Sequence, residues 1–424
     1  MSVMKLLSKL ARMWLTRTTK PFTFHNDYDE HLRFLECSNL GLYVHIPFCK
    51  KICNFCPYCK TAYQEDLANA YLDALLKEIE LVGERELGQT GEKKQVTSLY
   101  FGGGTPALMA ERLGEIIAAL QKYFVITEGI GVELHPDNVT KETLTTLKAA
   151  GVTKISIGVQ SFQEKYQSIL GRKPVEIEKM SAVLREVPFE TVSMDFIFAL
   201  PEQTFEDLKA DIDLAFQNGA NHIAIYPFID FTFTKSAVPV MPNRQKRKLL
   251  DKITKYCLEQ GYIRSSIWTF SSESHVGYSS MTRDNFLGFG CSATSLLKDQ
   301  FKINTFSVQE YIKRVEAQKL PTSLTIRFTK WQRMIYYLFW TAYSTKVEEE
   351  DFEKFFGVPL KKAYGFELFV ARMCGFVKKE GGKYEMTLRG AFYYHYFENY
   401  YTLAYIDKMW GIMRKEAFPE RIVL

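Results

Sequence analysis

Apolar and polar positions follow two periods through the middle of the chain. Short apolar, β-branched runs read as strands: LGLYVHIP (40–47), VTSLYFGGGT (96–105), GVELHP (131–136), KISIGVQSF (154–162), TVSMDFIFALP (191–201) and HIAIYPFID (222–230). Between them lie stretches with apolar residues at helical spacing, among them EDLANAYLDALLKEIELVG, ALMAERLGEIIAALQKYF, KETLTTLKAAG and TFEDLKADIDLAFQNG. Continuously apolar strands separated by helices indicate βαβ units and a parallel sheet buried on both faces. Six such units predict an α/β fold, either a partial or full (β/α) barrel or an open doubly wound sheet. In both, ligands bind at the C-terminal ends of the strands.

The alternation stops near FTKWQRMIYYLFW. Beyond it, EEDFEKFFG and KKAYGFELFVARMCG read as helices, and FVKKEGGKYEMTLRG as a hairpin turning at Gly381-Gly382. Helices followed by a hairpin predict a winged-helix-like C-terminal domain. In the aromatic segment after it, Phe392, Tyr396, Phe397 and Tyr400 are expected to pack on the barrel or to line a large flat substrate. At the other end, Leu6, Leu7, Leu10, Met13 and Trp14 share a helical face beside Lys5, Lys9 and Arg12. This segment reads as an amphipathic helix packed on the body, with weak membrane-surface contact as the alternative. The expected division is an extension over 1–39, a barrel over 40–310 and the winged-helix-like domain over 325–424.

Composition narrows the class. The 424 residues are 46% hydrophobic and 24% charged, as in globular proteins, and the formal net charge of +5 is too mild to argue for nucleic acid. No run reaches the roughly 20 apolar residues of a membrane span, and no secretory signal is seen, so a cytoplasmic location is expected. Thiols stay reduced there, and clustered cysteines then point to metal or catalysis. Cys49, Cys53, Cys56 and Cys59 fall within eleven residues, whereas Cys37, Cys257, Cys291 and Cys374 are scattered and read as small buried hydrophobes.

The strand ends collect the unusual residues. The first runs into the cysteine loop and the second into Gly102-Gly103-Gly104-Thr105, where glycines allow close backbone approach and exposed N–H groups. The third carries Glu133, the fourth ends in Gln160 with Arg172 shortly after, the fifth carries Asp195 and the sixth Tyr226. His45 and His135 read as satisfied core residues. A structural zinc site usually needs a second ligand pair, which the chain lacks outside this loop. An iron–sulfur cluster accepts such crowding, and three ligands leave one iron open to a small molecule with amine and carboxylate groups.

Taken together, YVHIPFCxxxCxFC, YFGGGTPALM, ISIGVQSF, LGR, MDFIFALPEQT and LGFGCSAT resemble the radical S-adenosylmethionine superfamily, and within it the oxygen-independent coproporphyrinogen III oxidase-like family. The resemblance runs from about Leu40 to about Leu297 and favours the partial (β/α) barrel of about six parallel strands. It implies a [4Fe-4S] cluster on Cys49, Cys53 and Cys56, with Cys59 not a ligand. It implies S-adenosyl-L-methionine, one or two molecules, touched by Tyr43, Gly103, Gly104, Thr105, Glu133, Gln160, Arg172 and Asp195. Phe55 matches the residue expected beside the second molecule. The implied chemistry is oxidation of a tetrapyrrole-like substrate by decarboxylation, with an electron donor such as flavodoxin or ferredoxin. Relatives in the same branch transfer methyl groups, degrade haem, or carry haem without turnover. Three departures bear on the substrate. Cys59 follows Cys56 after two residues, where the family usually has one. The chaperones' HNxxYW stretch is missing. Val276 stands where the oxidase has a Gln two residues before the Tyr matching Tyr278.

Overall fold

The computed structural model describes residues 3–28, 31–88, 91–234, 238–273 and 284–424, with side chains from residue 9 onward. Val276 and Tyr278 lie outside the described residues, as do the side chains of Lys5, Leu6 and Leu7.

All six expected strands form and run parallel: β1 (Leu40–Ile46), β2 (Leu99–Gly103), β3 (Ile130–Leu134), β4 (Lys154–Gln160), β5 (Thr191–Phe198) and β6 (His222–Pro227). They lie side by side in chain order, so every crossover steps the same way. Right-handed crossovers that all step one way place their helices on one side of the sheet, as in a (β/α) barrel rather than a doubly wound sheet. The barrel is partial. Beyond β6 the sheet continues into antiparallel Thr269–Ser271 and Ile263–Arg264. Beyond β1 comes a seventh parallel strand, β7 (Asn285–Phe289), supplied by the LGFGCSAT segment.

The sheet then turns antiparallel through Thr294–Leu297, Gln300–Asn304 and Thr322–Arg327. Its last strands are Thr23–His25 and Arg421–Val423, so segments distant in sequence join the sheet that carries the site. Short three-residue edge strands carry too little periodicity for the sequence to announce them.

Local chemistry explains the helices between the strands. Helix Glu65–Leu87 buries Ala68, Tyr71, Leu72, Leu75, Ile79 and Val82 along one stripe. Helix Phe205–Gln217 opens with a capping box, in which the Thr204 hydroxyl accepts the Asp207 N–H and the Asp207 carboxylate accepts the Thr204 N–H. No helix among the described residues is long and apolar enough to cross a membrane.

The C-terminal region is helical with a three-stranded sheet of Lys346–Glu348, Lys383–Met386 and Val377–Glu380, the last two joined at Gly381-Gly382. Two expectations hold in part: Phe392, Tyr396 and Tyr400 are half-buried, with Arg247 of the barrel over the Phe392 ring, and the N-terminal helix packs on the body through part of its apolar face. Helix Leu388–Tyr401 buries Gly390, Ala391 and His395, while Phe397 is exposed. The helix thus presents its small residues to its neighbour: a Cβ on Gly390 would stand 2.0 Å from the Phe376 carbonyl oxygen. Helix Val3–Thr16 packs on the C-terminal region through Leu15 and through the Trp14 indole, whose N–H donates to Glu367 at 2.8 Å, but leaves Leu10 and the Trp14 ring exposed.

The C-terminal helix Asp407–Met413 returns to the strand ends. Asp407 accepts the Thr232 N–H at 2.8 Å and its hydroxyl at 2.7 Å, Trp410 stacks on Phe231, and Arg414 donates to the Pro57 carbonyl inside the cysteine loop.

One buried carboxylate sets the turn after β4. Asp211 accepts from the Ser161 hydroxyl at 2.7 Å and the Phe162 N–H at 2.8 Å, and burial raises its pKa to about 6. A carboxyl raised in the folded state stabilises most below its unfolded pKa, and that contribution is lost as pH rises through the folded value. Asp211→Asn keeps an acceptor and has no charge to bury. The variant should therefore gain on the parent between about pH 4 and pH 6, by on the order of 2 kcal/mol. Urea midpoints across that range check this, and a pH-independent difference would contradict it.

Candidate functional site

Burial along the parallel strands marks the site. β1, β3 and β5 are buried along their length except at one residue each, and those residues are Tyr43, Glu133 and Asp195. Register aligns them. Tyr43 pairs with Tyr100, whose ring stacks on it at 6.4 Å, and Glu133 pairs with Ser156. The Ser156 hydroxyl donates to Asp195 at 2.7 Å, and the Ser193 hydroxyl donates to its other oxygen at 3.2 Å. Asp195 sits where the β4–β5 register slips between Met194 and Phe196, an irregularity of the kind that re-aims a side chain. Sequence reasoning missed Tyr100, Ser156 and Ser193. The two serines had a signal, as polar residues inside otherwise apolar strands.

The cysteine loop and the glycine loop are built against each other. Cys49 ends the short strand Phe48–Cys49, and Cys53 and Cys56 follow in the loop, all partly accessible. The Thr105 hydroxyl lies 3.9 Å from the Cys49 sulfur. Gly104 N–H donates to the Ile46 carbonyl and Thr105 N–H to the Phe48 carbonyl, both at 2.8 Å, while Gly103 N–H donates to Glu133 at 3.1 Å. This corrects the expectation of exposed donors, since all three N–H groups are held within the protein. The glycines are needed for closeness instead. A Cβ on Gly103, whose φ is +123°, would stand 2.6 Å from the His45 ring, and one on Gly104 would stand 2.6 Å from the Phe48 carbonyl oxygen.

Electrostatics follow from burial. It raises Glu133 above the usual carboxylate range, against bonds from Gly103 N–H and the Tyr100 hydroxyl. Asp195 rises to about 7, chiefly by burial, with the nearby Glu133 charge adding. Both therefore sit poised to ionise when a cation arrives. Cys49 rises to about 11 by burial, and Cys56 rises for the same reason.

Arg172 sits beside the cysteine loop. Its guanidinium donates to the Gly158 carbonyl and lies 5.7 Å from the Phe55 ring centre, while its Nε is buried without a partner. Gln160 has φ of +72° at the end of β4, and its amide nitrogen would lie 2.9 Å from a Cβ on Gly158. His135 caps the turn after β3, its Nδ1 accepting the Asp137 N–H at 3.2 Å. Burial and the Arg172 charge hold its pKa at about 4, so it is neutral. Tyr226 is exposed at the end of β6.

The donor set fits a cluster with an amino-acid-bearing cofactor. Three thiols share one loop, two carboxylates stand where an ammonium is favoured, and an arginine with an orphaned N–H stands where a carboxylate is.

Comparison with known proteins agrees. Residues 43–215 match the radical SAM superfamily model. The chain is 28% identical over 295 residues to heme chaperone HemW of Bacillus subtilis (strain 168), covering 66% of this chain and 76% of that protein. It is 29% identical over 310 residues to oxygen-independent coproporphyrinogen III oxidase of Cereibacter sphaeroides (strain ATCC 17025 / ATH 2.4.3), covering 66% and 68%. Its fold is similar to that of the coproporphyrinogen III oxidase HemN of Escherichia coli, a radical SAM enzyme, with a TM-score of 0.73 at 23% identity over 88% of this chain and 93% of that one.

The loop contact makes a stability prediction with an internal control. Gly104→Ala must displace backbone and should cost about 1–3 kcal/mol. Gly114→Ala, in helix Ala110–Tyr123 with its nearest neighbour at 3.7 Å, should instead gain about 0.5–1 kcal/mol. Denaturant midpoints of the two variants decide it, and equal effects would contradict the close approach.

Proposed function

We propose, from the premise that this chain carries a radical S-adenosylmethionine domain over residues 43–215, that it is an oxidoreductase of porphyrin-like substrates. Cys49, Cys53 and Cys56 would hold a [4Fe-4S] cluster, which when bound supplies the electron that cleaves the sulfonium of S-adenosylmethionine. The observation that carries this reading is the row of Tyr43, Glu133 and Asp195 breaking three buried strands beside the cysteine loop.

In this reading the chain's own residues bind and orient. Glu133 and Asp195 would accept from the N–H groups of the cofactor's amine and from its other polar groups, and Arg172 would donate to its carboxylate through the N–H that has no protein partner. Gly103, Gly104 and Thr105 form the wall on which the cofactor would lie, the glycines letting that wall close against His45 and Phe48. Tyr43 and Gln160 complete the wall. The helix Asp407–Met413, tied to Thr232 and to the cysteine loop through Arg414, limits water above the site. Phe55, under Arg172, is the surface against which a second cofactor molecule would lie. An external one-electron donor such as flavodoxin or ferredoxin is required.

A second reading has its own support. A relative at 28% identity is named a heme chaperone, so a haem-handling role without turnover is the competing assignment. The missing HNxxYW stretch weighs against it. Anaerobic incubation with S-adenosylmethionine, reductant and coproporphyrinogen III, followed by mass analysis, separates the two. The oxidoreductase reading expects 5′-deoxyadenosine with loss of carbon dioxide from the substrate. Haem bound stoichiometrically with no adenosine product would favour the chaperone.

Two predictions follow from the residue roles. Reconstituted iron should collapse in Cys49→Ala, Cys53→Ala and Cys56→Ala and persist in Cys59→Ala, and equal loss in all four would contradict the three-ligand set. Arg172→Ala and Asp195→Ala should weaken S-adenosylmethionine binding about tenfold to a hundredfold with iron retained, since charge-assisted hydrogen bonds contribute roughly 1.5–3 kcal/mol. Because Asp195 ionises at about 7, affinity in the parent should rise with pH through that value and lose this dependence in Asp195→Asn. Unchanged titrations would remove both residues from the pocket.

A further inference from the structure

The structure assigns a second metal site, separate from the three cluster cysteines: His45, Cys59 and Cys291 form a buried N/S/S centre for a thiophilic divalent cation such as Zn2+. One donor atom from each residue lies within 4.8 Å of the others. They come from three separate segments, the end of β1, the last turn of the cysteine loop and the turn after β7. Both His45 and Cys291 are buried, at 3% and 0% exposure. Imidazole with thiolates is the donor set that zinc takes, and three protein ligands leave a fourth position for water.

The backbone around the three donors is fixed by other residues. The Tyr71 hydroxyl donates to the His45 carbonyl at 2.7 Å and accepts the Cys291 N–H at 2.9 Å, so one side chain clamps two of the ligand-bearing segments together. Gly290, at φ of +96°, permits that approach, because a Cβ there would stand 2.4 Å from the Tyr71 oxygen and 2.7 Å from the His45 carbonyl. Glu78 accepts the Gly290 N–H at 2.8 Å and the Tyr311 hydroxyl at 2.6 Å, which anchors the turn to two helices.

The side chains are ready for ligation. His45 Nε2 donates to the Cys59 carbonyl at 2.9 Å, so Nδ1 accepts from the Tyr43 hydroxyl at 3.0 Å. Whichever nitrogen takes a metal, the other keeps a protein partner, as metal-bound imidazoles do. The Cys59 thiol now donates to the Phe306 carbonyl at 3.2 Å, a weak bond to give up. Charge balance favours the ion: a divalent cation with two thiolates and a neutral imidazole is neutral overall, and uptake releases the remaining thiol protons to solvent. A buried neutral centre avoids the cost of an unpaired buried charge. Cys59, which follows Cys56 after two residues rather than the one usual in the family resembled, is the residue of the loop whose sulfur meets Cys291 and His45.

The test is independent of turnover. The full-length Cys49→Ala/Cys53→Ala/Cys56→Ala variant, kept reduced and anaerobic, is titrated with Co2+ alone. The expected result is saturation at one equivalent, with thiolate-to-cobalt charge-transfer absorption and the visible bands of a tetrahedral centre. Zn2+ should displace it, and adding Cys59→Ser or Cys291→Ser should abolish the charge-transfer band. As a check that does not depend on the triple variant folding, zinc is counted in the cluster-loaded parent. One zinc per chain should fall to none in Cys291→Ala while iron is unchanged. Three results would overturn the proposal: zinc-free parent chain that takes up none on addition, a cobalt band indifferent to both serine variants, or a Cys59–Cys291 disulfide in anaerobically purified parent.

Discussion

The backbone contact between the glycine loop and the end of β1 is the constraint on which the site depends. Two N–H groups, from Gly104 and Thr105, reach the carbonyls of Ile46 and Phe48. They do so only because residue 104 has no Cβ to meet the Phe48 oxygen. That contact fixes the chain's exit from the sheet, and hence where Cys49, Cys53 and Cys56 stand. The adjacent Gly103 N–H fixes Glu133, so the cysteine loop and the carboxylate are positioned by successive residues of one turn.

Around this turn, the protein keeps charge out of water at some cost. Glu133 and Asp195 are raised by burial, and the Cys49 and Cys56 thiols are raised for the same reason. Such groups are held near neutrality until a cation or a metal arrives, so ligand binding and ionisation are linked. The far end of the chain packs against the same loop. Helix Asp407–Met413 reaches Thr232, Phe231 and the Pro57 carbonyl, and the strand Arg421–Val423 locks the C-terminus into the same sheet.

The strands and the three-cysteine spacing were legible because each carries a strong local signal: continuous apolar runs for buried parallel strands, and C-x3-C-x2-C for the loop. Glu133 and Asp195 stood out as charges inside such runs. Other features depend on contacts between distant residues, which no local period encodes. The meeting of Cys59 with Cys291 is one, and the edge pairing of Thr23–His25 with Arg421–Val423 is another. The aromatic helix was legible in part: Phe392, Tyr396 and Tyr400 are half-buried, but close packing at Gly390 turns the small residues inward and leaves Phe397 exposed. The glycine loop was found for the right residue type, but its N–H groups serve the fold rather than a ligand.

The central claim is that the three-cysteine loop leaves one iron for a cofactor held by Glu133, Asp195 and Arg172. The most direct measurement is pulsed electron–nuclear double resonance on the reduced, reconstituted protein with S-adenosylmethionine carrying 15N in its amino group and 17O in its carboxylate. The account predicts hyperfine coupling from both labels, as expected when the amine and carboxylate sit on the open iron. A reduced cluster whose spectrum is the same with and without the labelled cofactor would contradict it.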